Sequence, residues 1–304
     1  MARRAAVIQG PTADADDRQH ARGKLTARER LALLLDPGTF TEIDAFVRHR
    51  ASGFGLEERR HATDGVVTGW GHIDGRPVFV FAHDFRILGG TLGESHAGKI
   101  HKIMDMAQAA GVPLIGLNDG AGARIQEGVA ALAGYGGIFS RNVRASGVIP
   151  QISVMLGPCA GGAVYSPALS DFIFMVTSTS QMYITGPDVV AAATGETVDH
   201  QTLGGSTVHA TSSGVAAFTA EDEASCLADV RFLLSFLPSN NVSLPPRYAA
   251  TDDPMRRCDG LLDIVPVTPN QSYDVQDVIT EVVDDGEFFE VHARWARNIV
   301  CGFA

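Results

Sequence analysis

Apolar and polar positions repeat with two different periods along this chain, and the switches between them mark its elements. Residues 17–36 are charged and amphipathic, with Leu25, Leu31, Leu34 and Leu35 at roughly helical spacing. Thr26 followed by Glu29 fits a capping box, and Asp36-Pro37-Gly38 ends that helix. From residue 63 the runs become β-rich: VVTGW (66–70) and VFVFA (78–82) flank Asp74-Gly75, a hairpin signal. Ile100, Ile103, Met104 and Ala107 predict a helix over 94–110, and LIGLND (114–119) a buried strand. A helix near 128–145, the strand QISVML (151–156) and a small-residue helix starting at 161 follow. FIFMV (172–176) and MYIT (182–185) read as strands. Residues 222–237 read as a helix with Leu227, Val230, Leu234 and Leu237 on one face. Residues 239–260 form a Pro-, Asn- and Asp-rich linker, 274–284 a short helix, and NIVCGFA (298–304) a β-like end. Strands alternating with helices predict an α/β architecture with crossovers.

Composition narrows the class. Of 304 residues, 45% are hydrophobic and 19% charged, enough for a large core and too apolar for disorder. The net charge of −11 argues against general nucleic-acid binding but leaves room for one anionic ligand at a helix N-terminus. Cys159, Cys226, Cys258 and Cys301 have no CxxC or CxxH spacing, which fits reduced thiols in a cytoplasmic protein. No leader-like apolar core follows Met1, and no run reaches membrane-spanning length, so no membrane contact is expected. His96 and His101 are five apart and no HExxH occurs, so no metal site is expected.

Two Gly-rich turns carry the candidate chemistry. The first runs from Asn118 to Gly128 directly after a buried strand, and such a turn points backbone N–H groups outward at an anion or developing oxyanion. Arg124 and Glu127, three apart, pair along the helix. The plain alternative is a tight strand–helix turn with a surface ion pair. The second runs from Gly157 to Pro167. Pro158 fixes it, and Gly161-Gly162 lets a ligand approach the backbone where a helix starts. It holds no acidic or basic side chain, so its chemistry is stabilisation by N–H dipoles; the alternative is close helix–sheet packing. Gly93 to Ile100 partly matches a P-loop but has Ile100 where Ser or Thr would hold magnesium. Lys99 is therefore read as a helix residue that helps hold a phosphate. Cys159 reads as a small core thiol, and Ser166 lacks the GxSxG elbow. Gly186-Pro187-Asp188 and Leu203-Gly204-Gly205 with His209 read as loops at the same sheet edge.

Taken in order, these segments resemble the carboxyltransferase β subunit of propionyl-CoA and related acyl-CoA carboxylases. The resemblance runs through Ala21 to Leu31, Asp64 to Gly69, Asn118 to Gly128, Ala145 to Gln151, Gly157 to Pro167, Ile184 to Asp188 and Leu237 to Asn241. It implies a crotonase-like α/β spiral of ββα units with an N-terminal helical arm. The implied divisions are an arm over 1–62, a carboxyltransferase N-terminal core over 63–238 and a linker with a short helix over 239–297. Residues 298–304 would then be the first strand of a further carboxyltransferase domain, since Asn298 to Ala304 repeats the pattern of Gly65 to Gly71.

The resemblance also implies a function. The chain would move a carboxyl group between carboxybiotin and the α-carbon of propionyl-CoA or acetyl-CoA, with Gly161 and Gly162 as oxyanion N–H donors. Gly120, Ala121, Gly122, Ala123, Arg124, Ala160 and Lys99 would bind the CoA thioester. Biotin would arrive on the carrier protein of a biotin carboxylase partner, and a C-terminal half or homologous subunits of an oligomer would complete the site. A decarboxylase subunit, or a truncated CoA-binding remnant, are the alternatives. Departures from the family pattern are Ala121, the run Phe81 to Arg86, Ser140 and Gln201.

Overall fold

The computed structural model describes residues 7–8, 11–12, 14–249, 253 and 255–304. The amphipathic N-terminal stretch forms two helices, α1 (Ala15–His20) and α2 (Ala27–Leu34). They are separated by a turn in which Gly23 takes φ +70°, a conformation that ends the first helix. α2 starts on the expected capping box: Thr26 accepts from the Glu29 amide, and Glu29 accepts from the Thr26 amide.

The sheet opens with β1 (Thr41–Ile43), β2 (Val66–Ile73) and β3 (Arg76–His83), all antiparallel. Asp74 and Gly75 both have positive φ, +49° and +75°, the turn geometry that matches the twist of a two-residue hairpin. After α3 (Glu94–Ala110) the chain enters β4 (Leu114–Gly120), α4 (Val129–Ala145), β5 (Gln151–Ala160), α5 (Gly162–Ala168), β6 (Phe172–Val176) and β7 (Gln181–Tyr183). Short helices α6 (Pro187–Thr194), α7 (His200–Gly204) and α8 (Ser206–Thr211) lead to β8 (Phe218–Ala220) and α9 (Glu223–Phe236). The strand order is β1-β2-β3-β4-β5-β6-β8, parallel from β3 onward, with β7 paired to the end of β5.

Helices cover both faces, which is why β4, β5 and β6 read as near-continuous apolar runs. The two-residue period sorts their side chains. Val80, Leu117, Val154 and Phe174 pack with Leu31 and Leu34 of α2 and Leu227, Val230 and Leu234 of α9. Phe81, Leu114 and Met155 pack on the other face with Ile100, Ile103 and Met104 of α3 and Tyr135 and Ile138 of α4. Fully burying side chains of this size contributes roughly 1.5–3 kcal/mol each.

In the N-terminal segment α2 lines the core and β1 extends the sheet. Two expectations change. β5 runs on to Ala160, so the second turn begins at Gly161 and not at Gly157. Beyond Met155 the strand leaves β6, and Pro158 pairs with Gln181 of β7, a change of partner that accommodates a proline. Gly186 and Pro187 open α6 and Leu203-Gly204 closes α7, where loops were expected. Farther on come α10 (Leu261–Ile264), α11 (Val275–Val282), β9 (Phe289–Val291) and β10 (Cys301–Phe303). β10, within the segment expected to open a further domain, pairs antiparallel with β9, and Phe303 packs on Phe172 and Phe236. Among the described residues no helix is long and apolar enough to cross a membrane, and no cluster of His, Cys, Asp and Glu is placed to hold a metal ion.

Candidate active site at the ends of β4 and β5

β4 and β5 are parallel neighbours, so the turns that follow them leave the sheet at the same edge. The register is offset there. Asn118 pairs with Met155, but Gly120 pairs with Cys159, leaving Leu156, Gly157 and Pro158 of β5 bulged opposite Asp119. Past the bulge the turns touch: a Cβ on Gly122, which has φ +92°, would lie 2.8 Å from the Ala160 carbonyl oxygen. A Cβ on Gly162 would lie 2.8 Å from the ring of Tyr135 below it. Glycine is needed at both positions because backbone meets backbone or ring with no room between.

The hydrogen bonds decide which amides are available. The Gly161 amide donates to the Tyr183 carbonyl at 3.1 Å, and that of Ala121 to the Gly89 carbonyl at 3.1 Å. The amides of Gly122, Ala123, Gly162 and Ala163 donate to no group among the described residues. Of the expected donors Gly161 and Gly162, the first has its amide engaged with β7, while the Gly162 amide and that of the next residue, Ala163, are not so engaged. Gly161, at φ +59°, serves as the bend between β5 and α5. Cys159 lies beneath the turn, fully buried, and burial pushes its thiol up to about 12.

Lys99 and Arg124 do not reach this edge as ligand groups. The Lys99 ammonium is buried and donates to the carbonyls of Thr63 (2.9 Å) and Val66. Burial pulls its pKa down to about 8, against the opposing pull of nearby carboxylates. Arg124 is only 2% exposed. It pairs with Asp64 at 2.8 Å and with Glu127 at 2.8 Å, and donates to the Thr91 carbonyl at 2.9 Å. The expected Arg124–Glu127 pair thus exists, but inside the protein. His96 donates from Nδ1 to the Asp64 carbonyl at 2.9 Å. All three side chains therefore hold one backbone turn, Thr63-Asp64-Gly65, in which three successive residues have φ of +70°, +50° and +80°. Two of these are not glycine, and a strained turn of this kind persists only where its surroundings determine it. Glu127 also accepts from the Glu94 amide at 2.8 Å, joining the first turn to the start of α3.

Sequence patterns missed the charged cluster beneath the turns. Asp119, fully buried, accepts from Lys24 at 2.6 Å, Arg30 at 2.9 Å and Gln19 at 3.3 Å. Arg30 is fully buried too and meets Glu223 through two contacts of 2.7 and 2.6 Å. Burial alone opposes charge on Arg30, but Glu223 and Asp119 outweigh it and raise its pKa. For Lys24, burial wins and the pKa falls. Beside Asp119, His83 packs edge-on against His96 with ring centroids 5.1 Å apart, and burial holds His83 down to about 4. The available signal was a pair of cations, Lys24 just before α2 and Arg30 within it, whose partner Asp119 lies 89 residues from Arg30.

Comparison with known proteins fits this geometry. A family model, the carboxyl transferase domain, matches residues 18–304. The chain belongs to the carboxyl transferase family. It is 56% identical over 301 residues to the propionyl-CoA carboxylase carboxyltransferase subunit of Haloferax mediterranei, covering 99% of this chain and 58% of that one. It is 55% identical over 288 residues to the methylmalonyl-CoA decarboxylase subunit alpha of Veillonella parvula, covering 95% of this chain and 57% of that one. Among solved structures, the hexameric transcarboxylase 12S with methylmalonyl-coenzyme A and methylmalonic acid bound superposes with a TM-score of 0.96 at 45% identity, covering 99% of this chain and 58% of that one. The fold is the crotonase-like α/β fold of these carboxyltransferases. The chain spans a little over half the length of the relatives it matches.

Proposed function

We propose that this chain supplies the acyl-CoA side of a biotin-dependent carboxyltransferase, with a short acyl-CoA such as propionyl-CoA as substrate. The observation that carries the reading is the convergence at Gly122 and Ala160 of two turns whose unbonded amides belong to Gly122, Ala123, Gly162 and Ala163. None of these residues has a titratable side chain. Amides fixed in this way cost no reorganisation when charge develops, and they suit a thioester oxygen that becomes an enolate oxygen. They suit an acyl-CoA carbonyl and a ureido carbonyl alike, and the biotin of a carrier protein would supply the carboxyl group. The turns hold the thioester oxygen and provide no base, so the α-proton passes to a group outside them. Ile125 and Ile184 beside the turns are 87% and 68% exposed, which supports a second half or homologous subunit closing over this edge.

Transfer in either direction fits this geometry, since the relatives above are named as a carboxylase and as a decarboxylase at nearly equal identity. The test mixes this chain with a separately produced C-terminal carboxyltransferase half and follows label from methylmalonyl-CoA to free biotin. Transfer only in the mixture supports the reading. No transfer by a mixture that assembles, as judged by sedimentation, contradicts it.

A further inference from the structure

The bulge between β4 and β5 sets how far the second turn stands from the first, and a buried charge cluster fills it. Three residues of β5, Leu156 to Pro158, stand opposite the single residue Asp119. Gly157 leaves the space: a Cβ there would lie 2.0 Å from the Asp119 carboxylate and 2.7 Å from the Lys24 ammonium. Arg30 reaches the same point from α2, donating to Asp119 at 2.9 Å and to the Leu156 carbonyl at 3.4 Å. Two cations and two carboxylates (Lys24, Arg30, Asp119, Glu223) thus balance within a region at most 5% exposed. Asp119 immediately precedes Gly120, and Gly157 lies three residues before Ala160, so the cluster ties down the roots of both turns. Such a cluster is a costly way to gain stability, because apolar side chains of similar volume would serve as well or better. It does fix one geometry, since every member needs its partners in place.

We infer that Lys24, Arg30 and Asp119 are positioning residues that set the offset between the Gly122–Ala123 and Gly162–Ala163 amides, and hence their aim at the thioester oxygen. This rests on the acyl-CoA reading above. Misplacing donors by a fraction of an ångström weakens the hydrogen bonds to the oxygen while leaving the rest of the ligand's contacts intact.

The experiment is infrared difference spectroscopy of propionyl-CoA, labelled with carbon-13 at the carbonyl, bound to the full chain, with calorimetry against free CoA in parallel. In the wild type the bound carbonyl stretch moves to lower frequency. Lys24→Met is expected to lose most of that shift and to weaken propionyl-CoA about tenfold while free CoA affinity stays within about twofold. Lys24→Arg, which keeps the charge, is expected to restore the shift. Ile103→Ala, a cavity on the α3 face of the sheet and away from the cluster, controls for destabilisation and is expected to keep it. Should Lys24→Met not fold, the double variant Lys24→Met with Asp119→Asn removes one charge of each sign and leaves Arg30 paired with Glu223. A full shift in the single or double variant overturns the positioning role and leaves the acyl-CoA site standing. Wild-type chain that binds no propionyl-CoA, or binds it with an unshifted carbonyl, overturns the site and the inference together.

Discussion

Arg124 shows how one residue can be legible in kind and misread in place. Its spacing from Glu127 announces an ion pair, but Asp64, the partner that draws it inward, lies 60 residues earlier. No local pattern reports such a contact. Arg124→Met would leave Asp64 and Glu127 buried without their cation, a loss of about 3–5 kcal/mol by the cost of breaking buried pairs. Urea denaturation should show it as a lower midpoint with an unchanged slope; a midpoint within error of wild type would mean the pairs are dispensable. Lys99 teaches the same lesson, since its ammonium goes to the carbonyls of Thr63 and Val66. Gly161 was legible as a glycine at a helix start, but only the Tyr183 carbonyl, which β7 brings alongside, shows that its amide is taken. Gly122 is constrained twice, by φ +92° and by the Ala160 carbonyl.

Elements were more legible than contacts because their signals are local. The helix expected over 94–110 is α3, and the FIFMV strand is β6, both at the expected bounds. The capping box at Thr26 and Glu29 starts α2 where the sequence places it. Thr26→Ala removes the acceptor for the Glu29 amide and should cost about 1 kcal/mol. Hydrogen exchange should locate that loss in α2, the helix that carries Arg30, and unchanged protection there would contradict it. β5 was read as ending at residue 156 because Gly157-Pro158 looks like a turn. The strand continues because β7 offers a new edge where β6 leaves off. A strand extended by a later partner has no signature in its own residues.

At the scale of the molecule, the order of elements and the family were readable because motifs recur in fixed order along the chain, while the buried polar layer was not. His83 and His96 belong to that layer, both kept neutral by burial, with His83 at about 4. The unfolded chain binds a proton on each near pH 6.5, and the folded chain does so only at lower pH. Their contribution is complete above about pH 6.5 and is lost as pH falls toward 4, to about 3 kcal/mol for His83 alone. His83→Gln should flatten the fall in urea midpoint between pH 7 and pH 4.5, and equal slopes for variant and wild type would refute this. The exposed apolar edge beside the turns, at Ile125 and Ile184, belongs to the same scale.

The proposed acyl-CoA site rests on the meeting of the two turns at Gly122 and Ala160. Calorimetric titration of propionyl-CoA into the wild-type chain and into Gly122→Val is the decisive experiment. The expected result is saturable one-to-one binding by the wild type that disappears in the variant while the variant's far-ultraviolet circular dichroism is unchanged. Equal binding by both chains, or none by the wild type, would contradict the claim.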